Sequence, residues 1–143
     1  MVILFALCSL GAIMAQEGSP AALLPGNWSV DYARTKQNMH SEGRNYLDEM
    51  PQERRDRQET SYAQRQYHFT ANGAFAISLQ SGQTVNGEWT FLADGNMLEL
   101  TLGNGQRQQY RLLYVDTTTL GLEIDVPDQG KLLYPELHLV KQN

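Results

Sequence analysis

An alternating pattern runs through residues 84–126, which read TVNGEWTFLADGNMLELTLGNGQRQQYRLLYVDTTTLGLEIDV. Its large apolar side chains share one face of each run, beginning with Val85, Trp89 and Phe91 and then Leu98, Leu100 and Leu102. A period of two is typical of strands with one buried face. Asp-Gly and Asn-Gly pairs separate the runs and favour hairpin turns, because these residues tolerate positive φ. The stretch therefore predicts consecutive antiparallel strands.

The same pattern extends beyond this stretch in both directions. Upstream runs carry Tyr67 and Phe69, then Phe75, Ile77 and Leu79; the later runs carry Tyr110, Leu112 and Tyr114, then Leu120, Leu122, Ile124 and Val126, and finally Leu133, Leu137 and Leu139. Pro135 falls in the last run, and a proline there predicts a bulge or a position at the sheet's rim. These runs form a meander of seven strands.

A further β-prone stretch at Asn27–Tyr32 brings the number of strands to eight. Eight amphipathic strands in sequence order bury their apolar faces by curling into a closed barrel, which also removes unpaired edges. We therefore predict an all-β fold, an eight-stranded antiparallel up-and-down barrel with a long first connection that contains a short helix. A barrel of this size encloses room for packed side chains or one small ligand.

The long first connection, residues 33–63, is polar and charged. A helix is predicted from Pro51 to about Thr60, because proline suits the first helical turn and Glu53 precedes Arg57 by four residues. Connections of this length are usually lids, binding loops or disordered segments. We expect this one to cover the open end of the barrel in part, with Met39, Leu47 and Met50 as its apolar contacts.

The first fifteen residues are almost entirely apolar and uncharged, with small residues near Ala15. They predict a secretory signal peptide at residues 1–15, a flexible linker at 16–25 and a barrel domain at 26–143. A membrane anchor is disfavoured, because about 18 to 20 apolar residues are needed to span a bilayer. A lipoprotein site at Cys8 is less favoured, because Leu7 stands where a small residue is expected. The expected location is secreted, periplasmic or cell-envelope, with no integral membrane span in the mature chain.

The net charge of −5 disfavours nucleic acid as a partner, because phosphate binding requires a basic patch. The basic run Arg54, Arg55 and Arg57 is interspersed with acidic residues. This mixture is more typical of a solvated helix face than of a site for an acidic ligand at the barrel mouth.

Gly26-Asn27-Trp28, at the start of the first predicted strand, resembles the G-x-W motif that opens lipocalins. The order that follows is similar too: a long first connection, a Tyr/Phe strand, an Asn-Gly turn and a second Gly-x-Trp at residues 87–89. From about Leu24 to Val140 the chain resembles the lipocalin-like (calycin-type) family of bacterial secreted β-barrels. The resemblance implies that Gly26 and Trp28 close one barrel end near a late basic residue, either Lys141 or Arg111. It leaves the ligand class open.

Two functions fit this barrel. The first is an exported protein that binds a small, largely apolar molecule in the barrel interior, where aromatic walls and a few hydroxyls are typical of such sites. Its candidate ligand-binding residues are Tyr67, Phe69, Phe75, Trp89, Tyr110 and Tyr114, with Met39, Leu47 and Met50 as lid contacts. The alternative is a cell-envelope protein-interaction module with a filled barrel and no ligand. Plain core packing is favoured for Trp28 and, less strongly, for Trp89.

No catalytic motif is present, so the chain is predicted not to be an enzyme and to need no cofactor. His68, His138 and Glu136 lie on predicted strands, but His68 alternates against Tyr67 and Phe69 and is expected on the outer face. No metal site is therefore predicted. Glu88, Glu99, Glu123 and Asp125 alternate with apolar residues and are expected on the solvated exterior rather than as a catalytic pair.

Overall fold

The computed structural model describes residues 18–128 and 132–143. The predicted signal peptide at 1–15 and the first residues of the predicted linker lie outside these ranges. Among the described residues, none of the helices combines the length and the apolar character that crossing a membrane requires.

Within the described ranges, eight strands form one closed antiparallel barrel in sequence order, with β8 pairing back onto β1. The strands are β1 (Gly26–Val30), β2 (Gln66–Phe69), β3 (Ala74–Ser78), β4 (Thr84–Leu92), β5 (Met97–Leu102), β6 (Arg107–Val115), β7 (Thr119–Ile124) and β8 (Glu136–Gln142). The predicted fold class is confirmed.

The helices within the same ranges are α1 (Pro20–Leu23), α2 (Tyr32–Gln37), α3 (Ser41–Glu49) and α4 (Gln52–Ala63). The predicted helix from Pro51 corresponds to α4, with Pro51 at its N-cap. The connection is more helical than predicted, since α2 and α3 precede α4 and neither carries a continuous apolar stripe in the sequence. Tyr32, predicted at the end of the first strand, instead begins α2 because Asp31 caps that helix by accepting a hydrogen bond from the Arg34 amide.

The predicted flexible linker differs from the structure in its second half. Pro20–Leu23 form one helical turn, and Leu24 is fully buried. Ser19 caps the turn by accepting a hydrogen bond from the Ala22 amide. The segment is ordered because Leu24 and the turn pack over one end of the barrel, a contact that composition alone does not reveal.

The two ends of the barrel differ in what covers them. We call the end where Gly26 and Gln142 lie the closed end, because α1 packs there. We call the opposite end, where Val30 leads into α2 and Gln66 follows α4, the helical end. Pro135 lies at the helical end immediately before β8, where its carbonyl accepts a hydrogen bond from the Ile124 amide. This placement agrees with the rim position predicted for a proline.

Strands β6 and β7 pair with a register shift between Leu112 and Tyr114. Leu112 faces the inward-pointing Leu122, whereas Tyr114 faces Gly121, which lies on the outer face between two inward leucines. A β-bulge adds a residue to one strand and so reverses the alternation beyond it. The prediction that Tyr110, Leu112 and Tyr114 share one face is therefore corrected for Tyr114, which lies outside the barrel.

Candidate functional site

Trp28 plugs the closed end of the barrel. Its side chain is fully buried, and its indole Nε1 donates a hydrogen bond of 2.9 Å to the Leu24 carbonyl. Lys141 pairs with Trp28 across β1 and β8, places its Nζ 4.9 Å from the indole ring and donates to the Leu23 carbonyl at 3.0 Å. The late basic residue is therefore Lys141 rather than Arg111, which pairs with Glu123 at 3.1 Å.

Gly26 makes room for that lysine. Its φ is +140°, and a Cβ at this position would lie 2.9 Å from the Lys141 Cε. The lysine stem therefore packs against the glycine before its Nζ reaches the Leu23 carbonyl. Both predicted closing residues, Gly26 and Trp28, thus occupy one end of the barrel together with Lys141.

The half of the barrel nearest the closed end is filled by side chains. Phe69 is 2% exposed and Leu98 is fully buried, and the rings of Phe69 and Phe75 lie 6.5 Å apart. Trp89 meets Phe69 edge to face at 6.4 Å, and its indole Nε1 donates to the Thr70 carbonyl at 2.9 Å. Phe69, Phe75 and Trp89, all predicted to line a ligand cavity, here pack against one another. These rings fill the interior next to the closed end.

The helical end carries a different group of side chains, which we call the Tyr–Arg cluster. Tyr62 on α4 stacks on Tyr134 with ring centroids 4.1 Å apart, and Tyr32 meets Tyr134 edge to face at 5.9 Å. The Tyr32 and Tyr134 hydroxyls share a hydrogen bond of 2.9 Å. Together with the neighbours that the next paragraphs describe, the cluster comprises Tyr32, Tyr62, Arg65, Tyr67, Tyr110 and Tyr134.

Arg65 lies just before β2, on the inward alternation that continues through Tyr67 and Phe69. Its guanidinium carbon is 4.9 Å from the centroid of the Tyr62 ring, which places the cation over the aromatic face. Its Nε is buried and has no hydrogen-bond partner among the described residues. Arg65 therefore introduces a positive charge into an aromatic part of the barrel.

The hydroxyls of the cluster keep their protons at neutral pH. Burial raises the pKa values of Tyr62, Tyr67 and Tyr110, and the positive charge of Arg65 opposes part of each rise. Burial also raises the pKa of Tyr32, with the hydrogen bond to Tyr134 adding to the effect. Neutral phenols both donate and accept hydrogen bonds. The cluster can therefore orient a polar group of a bound molecule.

A few specific contacts attach the helices above the cluster to the barrel and to one another. Leu47 on α3 is fully buried, Met39 is nearly so, and Met50 packs against the same core. The Lys36 Nζ donates to Glu59 Oε1 at 2.8 Å and so ties α2 to α4, while the Tyr32 hydroxyl donates to the same oxygen at 3.1 Å. The three predicted lid residues therefore lie between the helices and the barrel core.

A groove opens beside Arg65 between the C-terminal part of α4 and the turn that joins β3 to β4. Its volume is about 390 Å³, and its walls are Ser61, Arg65, Leu79, Gln80 and Ser81. The lining combines one cation, neutral polar groups and an apolar side chain, and it contains no carboxylate. Arg65 is thus part of the wall of an open groove.

Tyr114 and His138 form a second polar cluster on the outside of the barrel. The Tyr114 hydroxyl is 2.6 Å from His138 Nδ1, and His138 Nε2 is 2.7 Å from Glu136 Oε2. The Tyr114 ring also packs closely over Gly121. Tyr114 thus takes part in attaching the outer face of β8 and does not join the other predicted lining residues.

The remaining predictions concern an outward orientation for His68 and the absence of a metal site. His68 is exposed and hydrogen-bonds to Asn27 on the neighbouring strand, so its predicted outward orientation is correct. Within residues 18–128 and 132–143, no group of three or more histidines, cysteines and carboxylates is placed to hold a metal ion.

Sequence reasoning missed Arg65, Tyr62, Tyr134 and Tyr32 as members of one cluster. A signal existed for Arg65, because it stands two residues before Tyr67 and four before Phe69 and so shares their face. Tyr32, Tyr62 and Tyr134 come from three separate segments, and nothing local indicates that they meet. Only the packing of α4 against the residues before β8 brings their rings together.

Comparison with known proteins identifies no matching family model and no match among curated proteins. Solved structures that are similar include a lipocalin-like protein from Bacteroides uniformis (13% identity, 84% of this chain and 98% of that one, TM-score 0.46). A DUF4847 family protein from Bacteroides vulgatus is 14% identical over 85% of this chain and 94% of that one, with a TM-score of 0.49. A protein from Bacteroides uniformis solved by NMR is 20% identical over 55% of this chain and 74% of that one, with a TM-score of 0.46. The strand order of the closed barrel fits a lipocalin-like fold.

Proposed function

We propose that this chain is an exported binding protein that holds a small, largely apolar molecule at the helical end of its barrel. One observation carries the proposal: near the helical end, the inner faces of strands β3, β5 and β6 carry large side chains that stay partly exposed. These side chains are Ile77, Leu102 and Tyr110. The eight-stranded lipocalin-like barrel is a ligand-binding type of fold.

Binding at this end requires no covalent chemistry. Ile77, Leu102 and Leu112 offer apolar surface, and its removal from water stabilises a complex by about 25 cal/mol per Å². Tyr67 and Tyr110 add hydroxyls that orient the bound molecule. The covering segment contributes Leu47 on α3, Met39 in the connection before that helix and Met50 immediately after it. Phe69, Phe75 and Trp89 act as the floor in this proposal.

The test is a fluorescence titration with the neutral apolar probe N-phenylnaphthylamine. Ile77→Trp adds bulk to the inner face of β3 at the helical end, so we expect it to weaken probe binding about tenfold or more. Thr90→Trp places the same side chain on the exposed outer face of β4 and is the matched control, which we expect to bind like the wild type. Overpacking costs about 1–3 kcal/mol of stability, so the unfolding temperature of each variant is measured alongside. Equal probe binding by two folded variants would count against the helical end as the site.

The second candidate function is a cell-envelope interaction module whose barrel holds no ligand. It is favoured by Tyr46, which is 56% exposed on α3 and lines a shallow groove of about 230 Å³ with Glu49, Met50, Pro51 and Arg54. Exposed aromatic rings are enriched in protein interfaces. A wild-type protein that binds no apolar probe and yields no small molecule on organic extraction and mass spectrometry would favour this function.

A further inference from the structure

The buried Nε of Arg65 is a hydrogen-bond donor without an acceptor among the described residues. A buried donor that lacks a partner is costly, and a donor that belongs to a charged group is more so. The guanidinium carbon lies 4.9 Å from the centroid of the Tyr62 ring, and the Tyr67 hydroxyl is within hydrogen-bonding reach of the guanidinium. Packing therefore fixes the position of the Arg65 side chain, while its Nε–H is left without an acceptor in the described part of the chain.

No described carboxylate balances this charge. The ion pairs of other basic residues join Lys36 to Glu59, Arg57 to Glu53 and Arg111 to Glu123. In contrast, no acidic residue within the described ranges lies within ion-pair distance of Arg65, and none lines the groove beside it. In a chain with a net charge of −5, an interior-facing guanidinium without a carboxylate partner is suited to a bound anion.

The groups around Arg65 also suit an anion. Tyr67 and Tyr110 lie close enough for the arginine charge to affect the pKa of each hydroxyl, and burial keeps both hydroxyls protonated. Ser61 and Ser81 bring two more hydroxyls to the groove, and Leu79 supplies an apolar wall. Donors and apolar surface thus occur side by side, which is the combination that an amphipathic molecule requires.

We propose that Arg65 is an anion-binding residue, and that the molecule held at the helical end is amphipathic, with an apolar body and a single carboxylate headgroup. The inference rests on the proposed function and narrows its ligand class. A carboxylate is the matching anion, because the planar guanidinium presents paired donors that fit two carboxylate oxygens. The apolar body would extend from Leu79 toward Ile77 and Leu102.

The experiment compares two competitors of the same chain length, dodecanoate and dodecanol, in displacing N-phenylnaphthylamine from the wild-type protein at neutral pH. We expect dodecanoate to displace the probe at about a tenfold lower concentration, because hydrogen bonds to charged groups are stronger than neutral ones. Equal displacement by both competitors would overturn the role of Arg65 while leaving the proposed function intact. Failure of the probe and both competitors to bind would overturn the proposed function itself.

Variants of Arg65 then test whether this residue causes the preference for dodecanoate. Arg65→Met should abolish the preference, so that dodecanoate and dodecanol displace the probe at similar concentrations. Arg107→Met is the matched control, because Arg107 is exposed on the outer face of β6, and it should keep the full preference. Arg65→Lys keeps the charge without the planar fork, so it should reduce the preference even if the methionine variant fails to fold. A folded Arg65→Met protein that still prefers dodecanoate would contradict the assignment.

Discussion

Gly87 lies where strand β4 comes very close to its neighbours. A Cβ at this position would stand 2.1 Å from the Thr101 carbonyl oxygen and 2.6 Å from the Phe75 ring. The first contact is with backbone, which cannot rotate away, and the second is with a ring that is itself buried. The glycine of the second Gly-x-Trp is therefore required by close approach.

Gly87→Ala is predicted to destabilise the fold by about 3 kcal/mol, the upper part of the usual cost of overpacking. Urea unfolding followed by tryptophan fluorescence measures the change. Gly103→Ala is the control, because its Cβ would meet only the Asn86 carbonyl at the ordinary distance of 3.7 Å. We expect the control to change stability by less than about 1 kcal/mol. A similar loss in both variants would mean that close packing at Gly87 is not the cause.

At the scale of elements, helix α2 takes over the hydrogen bonding to β8 beyond the point where β1 ends. Strand β1 stops at Val30, so the next β8 amide in line, that of His138, has no β1 carbonyl to bond. The buried Thr35 hydroxyl on α2 accepts from this amide at 3.2 Å, while the Asp31 amide donates to the His138 carbonyl at 2.8 Å. Side chain and helix thus replace the missing strand residues, which explains why a polar threonine is fully buried.

Thr35→Val keeps the shape of the side chain but leaves the His138 amide without an acceptor. We predict a loss of about 1–3 kcal/mol in unfolding free energy, because a buried donor is left unsatisfied. Hydrogen exchange at the His138 amide should also become faster than in the wild type. Thr35→Ser retains the hydroxyl and should preserve slow exchange at this amide. Unchanged protection in the valine variant would show that another group holds the His138 amide.

The whole molecule combines a plugged end with an end covered by helices, where some interior side chains remain partly exposed. Trp28, Lys141 and Leu24 seal the closed end, and the adjoining half of the barrel is packed with rings and leucines. The helical end instead carries tyrosine hydroxyls and one arginine beneath helices with few apolar contacts. The proposed binding site uses the helical end, where hydroxyls and a cation lie beside apolar surface.

Export is a property of the whole chain, and we propose it from the apolar first fifteen residues. It predicts that the mature protein begins at Gln16. Intact-mass measurement on protein recovered from the extracytoplasmic fraction tests this. Replacing Leu7 with Arg should retain the chain in the cytoplasm, because a charge interrupts the apolar run that the export machinery reads. Full-length wild-type protein found only in the cytoplasm would overturn the proposal.

The sequence by itself determined the barrel, because a period of two and turn residues between runs act locally and repeat along the chain. Local signals also predicted the helix after Pro51, and the resemblance to lipocalins implied the closing residues Gly26 and Trp28. Only the tertiary structure decided that Tyr114 faces outward, because a single extra residue in β6 reverses the alternation without leaving a mark in composition. Likewise, only the tertiary structure assembled Arg65 with the tyrosines, because packing in three dimensions joins segments that are distant in the chain.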